Sequence, residues 1–390
     1  MTVINQMFAG INSFPLLAVP FFMLLGQMMT SGGITDRLVG VSDVWVGHIR
    51  GGLGHINVLV SMLFAGLSGS GAADTAGIGS IMIPTMIKSG FDRPFSVAIT
   101  ASSSTLGVII PPSIMMVIYG ALAQISIGAL FWGGVVPGIM IGGTQMLYCY
   151  WISKKYNYPY GEKVSIKKKF VVTSRAIPPL LLPIIILGGI TAGIFTATEA
   201  AAIAVAYGLI LVLIVYKDIR FKDFSAVLEK SVISYSLPIF CVSAAGIMGW
   251  LIAYLDAPAM VSGYILGITT SYYGVFGMII LVMLIMGTFL SPIVTIIIFM
   301  PIIQGLGNAA HLNPIHLGLI VNLTLALGMV TPPYGICLLI ASQIGEIPAP
   351  RAFLAILPMF LLALLVIILG VIWPELFLFL PKLIMPSSFG

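Results

Sequence analysis

The sequence predicts an all-α polytopic membrane protein built from two inverted repeats, each with a re-entrant helical hairpin and a broken helix. Three observations predict it. Only 7% of the 390 residues are charged and 59% are apolar, whereas a soluble domain carries about 25% charged residues. Several apolar runs approach the roughly 20 residues needed to cross a hydrocarbon core. Two proline pairs, Pro111-Pro112 and Pro332-Pro333, interrupt such runs at a separation of 221 residues. The low charge also excludes disorder, coiled coil and collagen. The 43 glycines and 24 prolines suit membrane helices that are broken or closely packed.

The elements read in order as follows. Phe14 to Thr30 is the first candidate span, followed by an amphipathic piece from Thr35 to Ile49 that suits the interface. Gly51 to Phe91 is a long, low-charge stretch with Gly66-Leu-Ser-Gly-Ser-Gly-Ala-Ala-Asp74 at its centre. An apolar run broken at mid-depth by glycines and serines reads as a re-entrant hairpin. Phe95 to Val108 carries the hydroxyl run Ser102 to Thr105 and ends at Pro111-Pro112, yet the apolar run resumes from Ser113 to Ala123. Proline removes a helical hydrogen bond, so this helix is interrupted inside the bilayer. Ile127 to Ile152 is a further span.

Lys154 to Arg175 then holds seven basic residues and one acid, Glu162, and reads as a basic loop. Ala176–Gly193 and Thr198–Tyr216 form a helical pair, and Lys217–Lys230 is a second basic loop. Eleven of the 17 Lys and Arg residues lie between Lys154 and Lys230. Such short basic loops mark the cytoplasmic side of a membrane protein rather than a nucleic-acid surface, and no nucleic-acid partner is expected. Val232–Ala253, Ala259–Thr269 and Tyr273–Gly287 follow, then a second hairpin-like piece from Gly287 to Asn313. His316–Met329 leads to the second break, after which Tyr334–Ile344 and Phe353–Leu380 complete the chain. Glu199, beside Thr198 at a helix start, reads as a capping residue. Cys149, Cys241 and Cys337 show no metal or disulfide spacing.

The duplication extends beyond the proline pairs. Gly107 and Gly328, and Pro137 and Pro358, share the offset of 221, while Pro94 and Pro314, and Gly26 and Gly246, are 220 apart. Broken helices leave N–H and C=O groups without partners, which is costly in hydrocarbon unless they line a cavity or bind an ion or substrate. Discontinuous helices at matching positions in two halves point to the midplane site of a secondary transporter. An odd number of crossings between corresponding points inverts the repeats.

Several segments carry a family resemblance. Phe64-Ala-Gly-Leu-Ser-Gly-Ser-Gly-Ala-Ala-Asp-Thr-Ala-Gly-Ile-Gly-Ser-Ile-Met-Ile-Pro84 resembles the large membrane subunit of tripartite ATP-independent periplasmic (TRAP) transporters, the DctM-like family. So do Ile109-Ile-Pro-Pro-Ser113, Phe195-Thr-Ala-Thr-Glu-Ala-Ala-Ala202, Leu327-Gly-Met-Val-Thr-Pro-Pro-Tyr-Gly335 and Asn12-Ser-Phe-Pro-Leu-Leu-Ala-Val-Pro-Phe-Phe22. The resemblance covers nearly the whole chain. Members usually carry a further hydrophobic helix before the point matching Asn12, so the N-terminal scaffold is expected to lack one helix. Many carry Glu where Gln27 stands.

The resemblance implies sodium-driven uptake of an organic anion of the sialic acid or C4-dicarboxylate type across a bacterial inner membrane. It implies a periplasmic substrate-binding protein, a small four-helix membrane subunit and an elevator mechanism within the lipid bilayer. On that basis residues 51–150 and 275–365 are expected to form the transport domain. Residues 1–50 and 151–274 form the scaffold, and 366–390 a C-terminal helix end and tail.

The candidate site residues follow from their chemistry. Ser68, Gly69 and Ser70 at the tip of hairpin 1 offer hydroxyls and close backbone approach for a sodium ion. Thr288, Ser291 and Pro292 are the equivalents in hairpin 2. Ser103, Gly107, Pro111 and Pro112 form one break; Gly328, Thr331, Pro332 and Pro333 form the other. Carbonyls freed by the prolines suit cations, giving at least two sodium ions, and the helix N-termini at the breaks suit a carboxylate substrate. Ser68, Asp74, Pro111, Pro112, Ser291, Pro292 and Pro333 are the substrate-binding candidates. Asp74, an ionisable group at apolar depth, either holds hairpin 1 by hydrogen bonds or contributes to binding. Packing of small residues is the competing account of the hairpin tips, and hydrated kinks that of the breaks. Two other functions fit parts of the chain. A stand-alone sodium–dicarboxylate symporter needs no binding protein. An intramembrane serine protease would use the Gly66-Leu-Ser-Gly69 motif, with Ser68 paired to His311.

Overall fold

A computed structural model describes residues 2–389, so the terminal residues of the expected 1–50 and 366–390 segments lie outside the described residues. The described residues form helices and no strand. Eight of these helices are long and apolar enough to span a membrane.

Helices α1 (Thr2–Ile11), α2 (Ala18–Ser31) and α3 (Ile34–Val46) open the chain, with α3 amphipathic as its sequence requires. Hairpin 1 is α4 (Gly52–Ser68) and α5 (Gly71–Lys88). The broken helix is α6 (Arg93–Ser104), a 3-10 turn over Thr105–Val108, and α7 (Ile114–Ala123). Helix α8 (Ile127–Tyr156) returns the chain to the basic end, where α9 (Ile166–Thr191) begins. Helix α10 (Ala197–Leu209) runs into a π-helical turn, Ile210–Val215, and α11 (Phe224–Tyr254) and α12 (Ala257–Ile268) complete the centre. Hairpin 2 is α13 (Tyr272–Phe289) and α14 (Pro292–Ala309). The second broken helix is α15 (Pro314–Gly328) and α16 (Ile336–Gly345), and α17 (Ala349–Ile372) and α18 (Glu375–Ile384) end the fold.

The two halves run in opposite senses. Arg93, which opens α6, pairs with Glu346 just beyond the end of α16 at 3.2 Å. At the far end, a side chain at Gly318 near the start of α15 would strike the Tyr119 ring near the end of α7. The start of each interrupted helix thus lies beside the end of the other, which is the arrangement of inverted repeats.

Four expectations need correction. The seven basic residues do not all lie in a loop: Lys154 and Lys155 close α8, and α9 starts at Ile166, capped by the Ser165 hydroxyl on the Lys168 N–H, so six of them are helical. The second basic loop is likewise helical from Phe224. Charged side chains remain in water while their backbone joins the helix, so a charge run does not mark a helix boundary. Hairpin 2 is not Gly287–Asn313. Its arms are Tyr272–Phe289 and Pro292–Ala309, and the assumed hairpin was only its tip and second arm. Phe353–Leu380 is not continuous, because Pro374 separates α17 from α18. Glu199 does cap its helix, in a reciprocal box with Thr196.

Candidate functional site

Hairpin 1 turns at Gly69, whose φ of +62° favours glycine. Its tip docks against the first break. The Gly69 carbonyl accepts from the Ile114 N–H at 3.3 Å, and a Cβ at Gly69 would lie 2.9 Å from the Pro112 carbonyl oxygen. The Ser70 hydroxyl caps α5, accepting from the Ala73 N–H. Asp74 lies in the first turn of α5, where a carboxylate complements the helix dipole. The Ser68 hydroxyl donates to one oxygen of Asp74. The other oxygen is buried without a partner, and the residue is 0% exposed. Gly107 packs directly on this carboxylate, leaving no room for a side chain.

The second break repeats the docking with different contacts. The Tyr334 N–H donates to the Thr288 carbonyl at 2.9 Å. Gly287 and Gly328 touch backbone to backbone, so that a Cβ on Gly328 would lie 2.7 Å from the Gly287 oxygen. The Thr331 hydroxyl donates to the Leu327 carbonyl, and that of Thr288 to Ile285. Pro111–Pro112 and Pro332–Pro333 are both cis. The breaks are unequally covered: Pro111 and Pro112 are buried, Pro332 is half-buried and Pro333 exposed.

Gly71 at the start of α5 joins the clusters. A Cβ there would meet the Ser104 carbonyl of the first break at 2.7 Å, and Met329 and Cys337 of the second at 3.0 and 3.3 Å. The structure therefore brings Ser68, Gly69, Ser70, Asp74, Gly107, Pro111 and Pro112 together, with Gly328, Thr331, Pro332 and Pro333 forming the adjoining break. Ser291 and Pro292 open α14, where the Ser291 hydroxyl caps the Val294 N–H. The protease reading fails, because the Ser68 hydroxyl donates to Asp74 while His311 lies in an exposed turn beyond α14.

The Ser103 hydroxyl is turned toward hairpin 1. It accepts from Ser61 at 2.9 Å and lies within donating distance of the Thr100 carbonyl (3.2 Å) and Asn57 Oδ1 (3.4 Å). Asn57 in turn donates to the Thr100 hydroxyl at 2.6 Å. On the far side of α6, Gln145 of α8 donates to the Ser102 hydroxyl at 3.0 Å. Sequence reasoning missed Asn57, Ser61 and Gln145. The signal was present: Asn57 and Ser61 are four apart on one helix face, matching Thr100 and Ser103 on another.

A family model described as "Tripartite ATP-independent periplasmic transporter, DctM component" matches residues 1–376. The chain is similar to the sialic acid TRAP transporter large permease protein of Vibrio cholerae, with 36% identity over 97% of this chain and 89% of the relative. It is also 36% identical to the C4-dicarboxylate TRAP transporter large permease protein of Pseudomonas aeruginosa, over 97% of this chain and 88% of that one. A 2,3-diketo-L-gulonate TRAP transporter large permease protein of Escherichia coli is 34% identical over 94% and 86%. Among solved structures, the Alcanivorax borkumensis YdaH transporter has the same fold, with a TM-score of 0.69 at 14% identity over 96% of this chain and 87% of that chain. A chain with paired hairpins docked on antiparallel interrupted helices, matched over nearly its full length by this family, is a multi-pass membrane protein that belongs to the DctM family of TRAP transporter large permeases.

Proposed function

We propose that this chain carries an organic anion into a bacterial cell across the inner membrane, coupled to sodium entry, with the anion delivered by a periplasmic binding protein. The observation that carries this reading is the docking of each hairpin tip on the break of its own repeat. In repeat 1, Ser68, Gly69, Ser70 and the carbonyls around Gly107, Pro111 and Pro112 supply neutral oxygens for one sodium ion. In repeat 2, Thr288, Ser291, Gly328, Thr331 and Pro332 supply those for a second. Ser103 contributes through its backbone, since its hydroxyl is engaged. The substrate carboxylate lies between the hairpins, near the N-terminal ends of α5, α7 and α14, with Ser68, Asp74, Ser291, Pro292 and Pro333 around it.

Residues 51–150 and 275–365 move as one transport domain against a scaffold of residues 1–50 and 151–274, in an elevator motion. The Arg93–Glu346 pair supports that grouping, because it joins repeat 1 to repeat 2. A small four-helix membrane subunit completes the scaffold. Relatives named for sialic acid, C4-dicarboxylates and 2,3-diketo-L-gulonate make the substrate an organic acid of that range.

Uptake into proteoliposomes holding this chain and its small subunit tests the reading, with and without the cognate binding protein and a sodium gradient. Accumulation requiring both is expected. Accumulation without the binding protein would sink the tripartite reading, and accumulation indifferent to sodium the coupling.

A further inference from the structure

The basic end of the molecule carries a charged surface that lies outside the proposed transport site. Seven basic residues lie between Lys154 and Arg175, and none takes part in an ion pair among the described residues. Elsewhere Arg37, Arg93 and Arg220 are each matched to an acid, namely Asp218, Glu346 and Asp223. Lys167, Lys168 and Lys169 sit in the first turn of α9, which has no acidic residue. Cations there oppose the helix dipole, so local helix stability does not account for them.

The surface is held in shape. The Tyr158 hydroxyl donates to Asp92 at 2.7 Å, and its ring packs on Phe91 and Phe95. The Gly161 N–H donates to the Gly47 carbonyl at 2.8 Å. The Trp45 indole donates to the Thr173 hydroxyl at 3.0 Å. Lys169 lies 5.1 Å over the Trp45 ring and Lys155 5.5 Å over the Tyr156 ring. Tryptophan and tyrosine settle at headgroup depth, which puts these ammonium groups at the same level. Among the lysines, Ile166 is 73% and Phe170 70% exposed. An acidic soluble protein would meet the charges but leave these two apolar side chains in water. A phospholipid meets both, with phosphate on the lysines and acyl chain on Ile166 and Phe170.

We propose that the α8–α9 surface binds the phosphate headgroups of anionic phospholipids in the cytoplasmic leaflet. The inference stands independently of which substrate or ion is transported. Native mass spectrometry of the full chain in detergent, titrated with cardiolipin, phosphatidylglycerol or phosphatidylcholine, tests it. The parent is expected to retain the two anionic lipids over phosphatidylcholine, and to lose that preference as salt rises. The triple substitution Lys163→Gln, Lys167→Gln, Lys168→Gln should weaken anionic-lipid binding by about tenfold or more, since each such charge contributes to surface attraction. The corresponding Lys→Arg triple should retain it. Equal retention of anionic and zwitterionic lipid by the parent overturns the proposal, as does a Gln triple that binds like the parent. Displacement of lipid by inorganic pyrophosphate at equal concentration overturns it in favour of a soluble-anion site. Should the Gln triple aggregate, lipid selectivity and salt dependence of the parent decide the matter.

Discussion

Replacing Gly107 by Ala probes the contact on which the first of the proposed cation sites depends. A methyl group at this position would run into one Asp74 carboxylate oxygen, and would lie 2.9 Å from its Cγ and 3.1 Å from the Gly71 backbone nitrogen. The carboxylate cannot simply swing away, because the Ser68 hydroxyl holds its other oxygen. Nor can Gly71 retreat freely, since its Cα faces the Ser104 carbonyl and Cys337. Hairpin 1 must therefore lift from the break. Overpacking of this kind costs about 1–3 kcal/mol, which corresponds to roughly 5- to 150-fold in the ratio of docked to undocked hairpin. If the docked hairpin binds the cation, the sodium concentration for half-maximal uptake rises as the docked fraction falls, by up to that factor. Uptake against sodium concentration in proteoliposomes reads it, with thermal unfolding in detergent as a second measure. Gly143→Ala is the control, since its added methyl meets nothing within 4 Å. A Gly107→Ala protein with parental sodium dependence and melting temperature would refute the docking argument.

Four further outcomes follow from the same geometry. Gly328→Ala places a methyl 2.7 Å from the Gly287 oxygen and 2.8 Å from its carbonyl carbon, so it should lift hairpin 2 at a similar cost of about 1–3 kcal/mol, read as reduced uptake and a lower melting temperature. Asp74→Asn keeps the shape and an acceptor for Ser68 but removes the charge; the melting temperature should hold or rise, because a buried charge without a full set of partners is costly, and a lowered melting temperature would show that the carboxylate itself holds hairpin 1. Asn57→Leu removes the bond to the Thr100 hydroxyl and should cost about 1–2 kcal/mol of stability, with Asn57→Leu plus Thr100→Val losing less than the sum of the two single changes. Gly26→Val should disfavour the observed arrangement, since a Cβ there lies 3.2 Å from the Ser68 Cα; cross-linking between cysteines placed on α2 and hairpin 1 should drop, and parental cross-linking would count against close packing.

Much of this architecture was legible because membrane physics makes interruptions conspicuous. Pro111-Pro112 and Pro332-Pro333, each four residues after a glycine, both fall between α-helices, whereas Pro178-Pro179 stays within α9. The hydroxyl- and glycine-rich stretch from Gly66 to Asp74 contains the tip of hairpin 1, which turns at Gly69. Hairpin 2 was harder to place. Its tip, Leu290-Ser291, has one hydroxyl between long apolar arms, so the sequence showed a turn without showing where the first arm began. The basic stretch was misread because charge reports the position of a side chain relative to water, not whether its backbone is helical. The Asn57–Thr100–Ser103–Ser61 network was legible only in part, because the spacing of Asn57 and Ser61 marks a polar helix face without showing what it meets. Each residue is unremarkable alone, and only the packing of α4 on α6 makes them partners.

The unequal burial of the two breaks ties these observations together. Both repeats supply a hairpin tip and an interrupted helix, yet the first pair is enclosed and the second reaches the surface at Pro333. Part of the cover on hairpin 1 comes from outside the repeat. Gly26 of α2 abuts the Ser68 backbone, and Gly66 leaves only enough room for Pro183 of α9. Two elements of the expected scaffold thus cover hairpin 1 through contacts that glycine makes close. Interlocked side chains would resist sliding, whereas backbone surfaces faced with glycine can part without rotamer changes. Tight packing inside the hairpin–break units, as at Gly107 and Gly328, combined with glycine-faced contacts between hairpin 1 and its cover, is the distribution of contacts that the proposed elevator motion calls for.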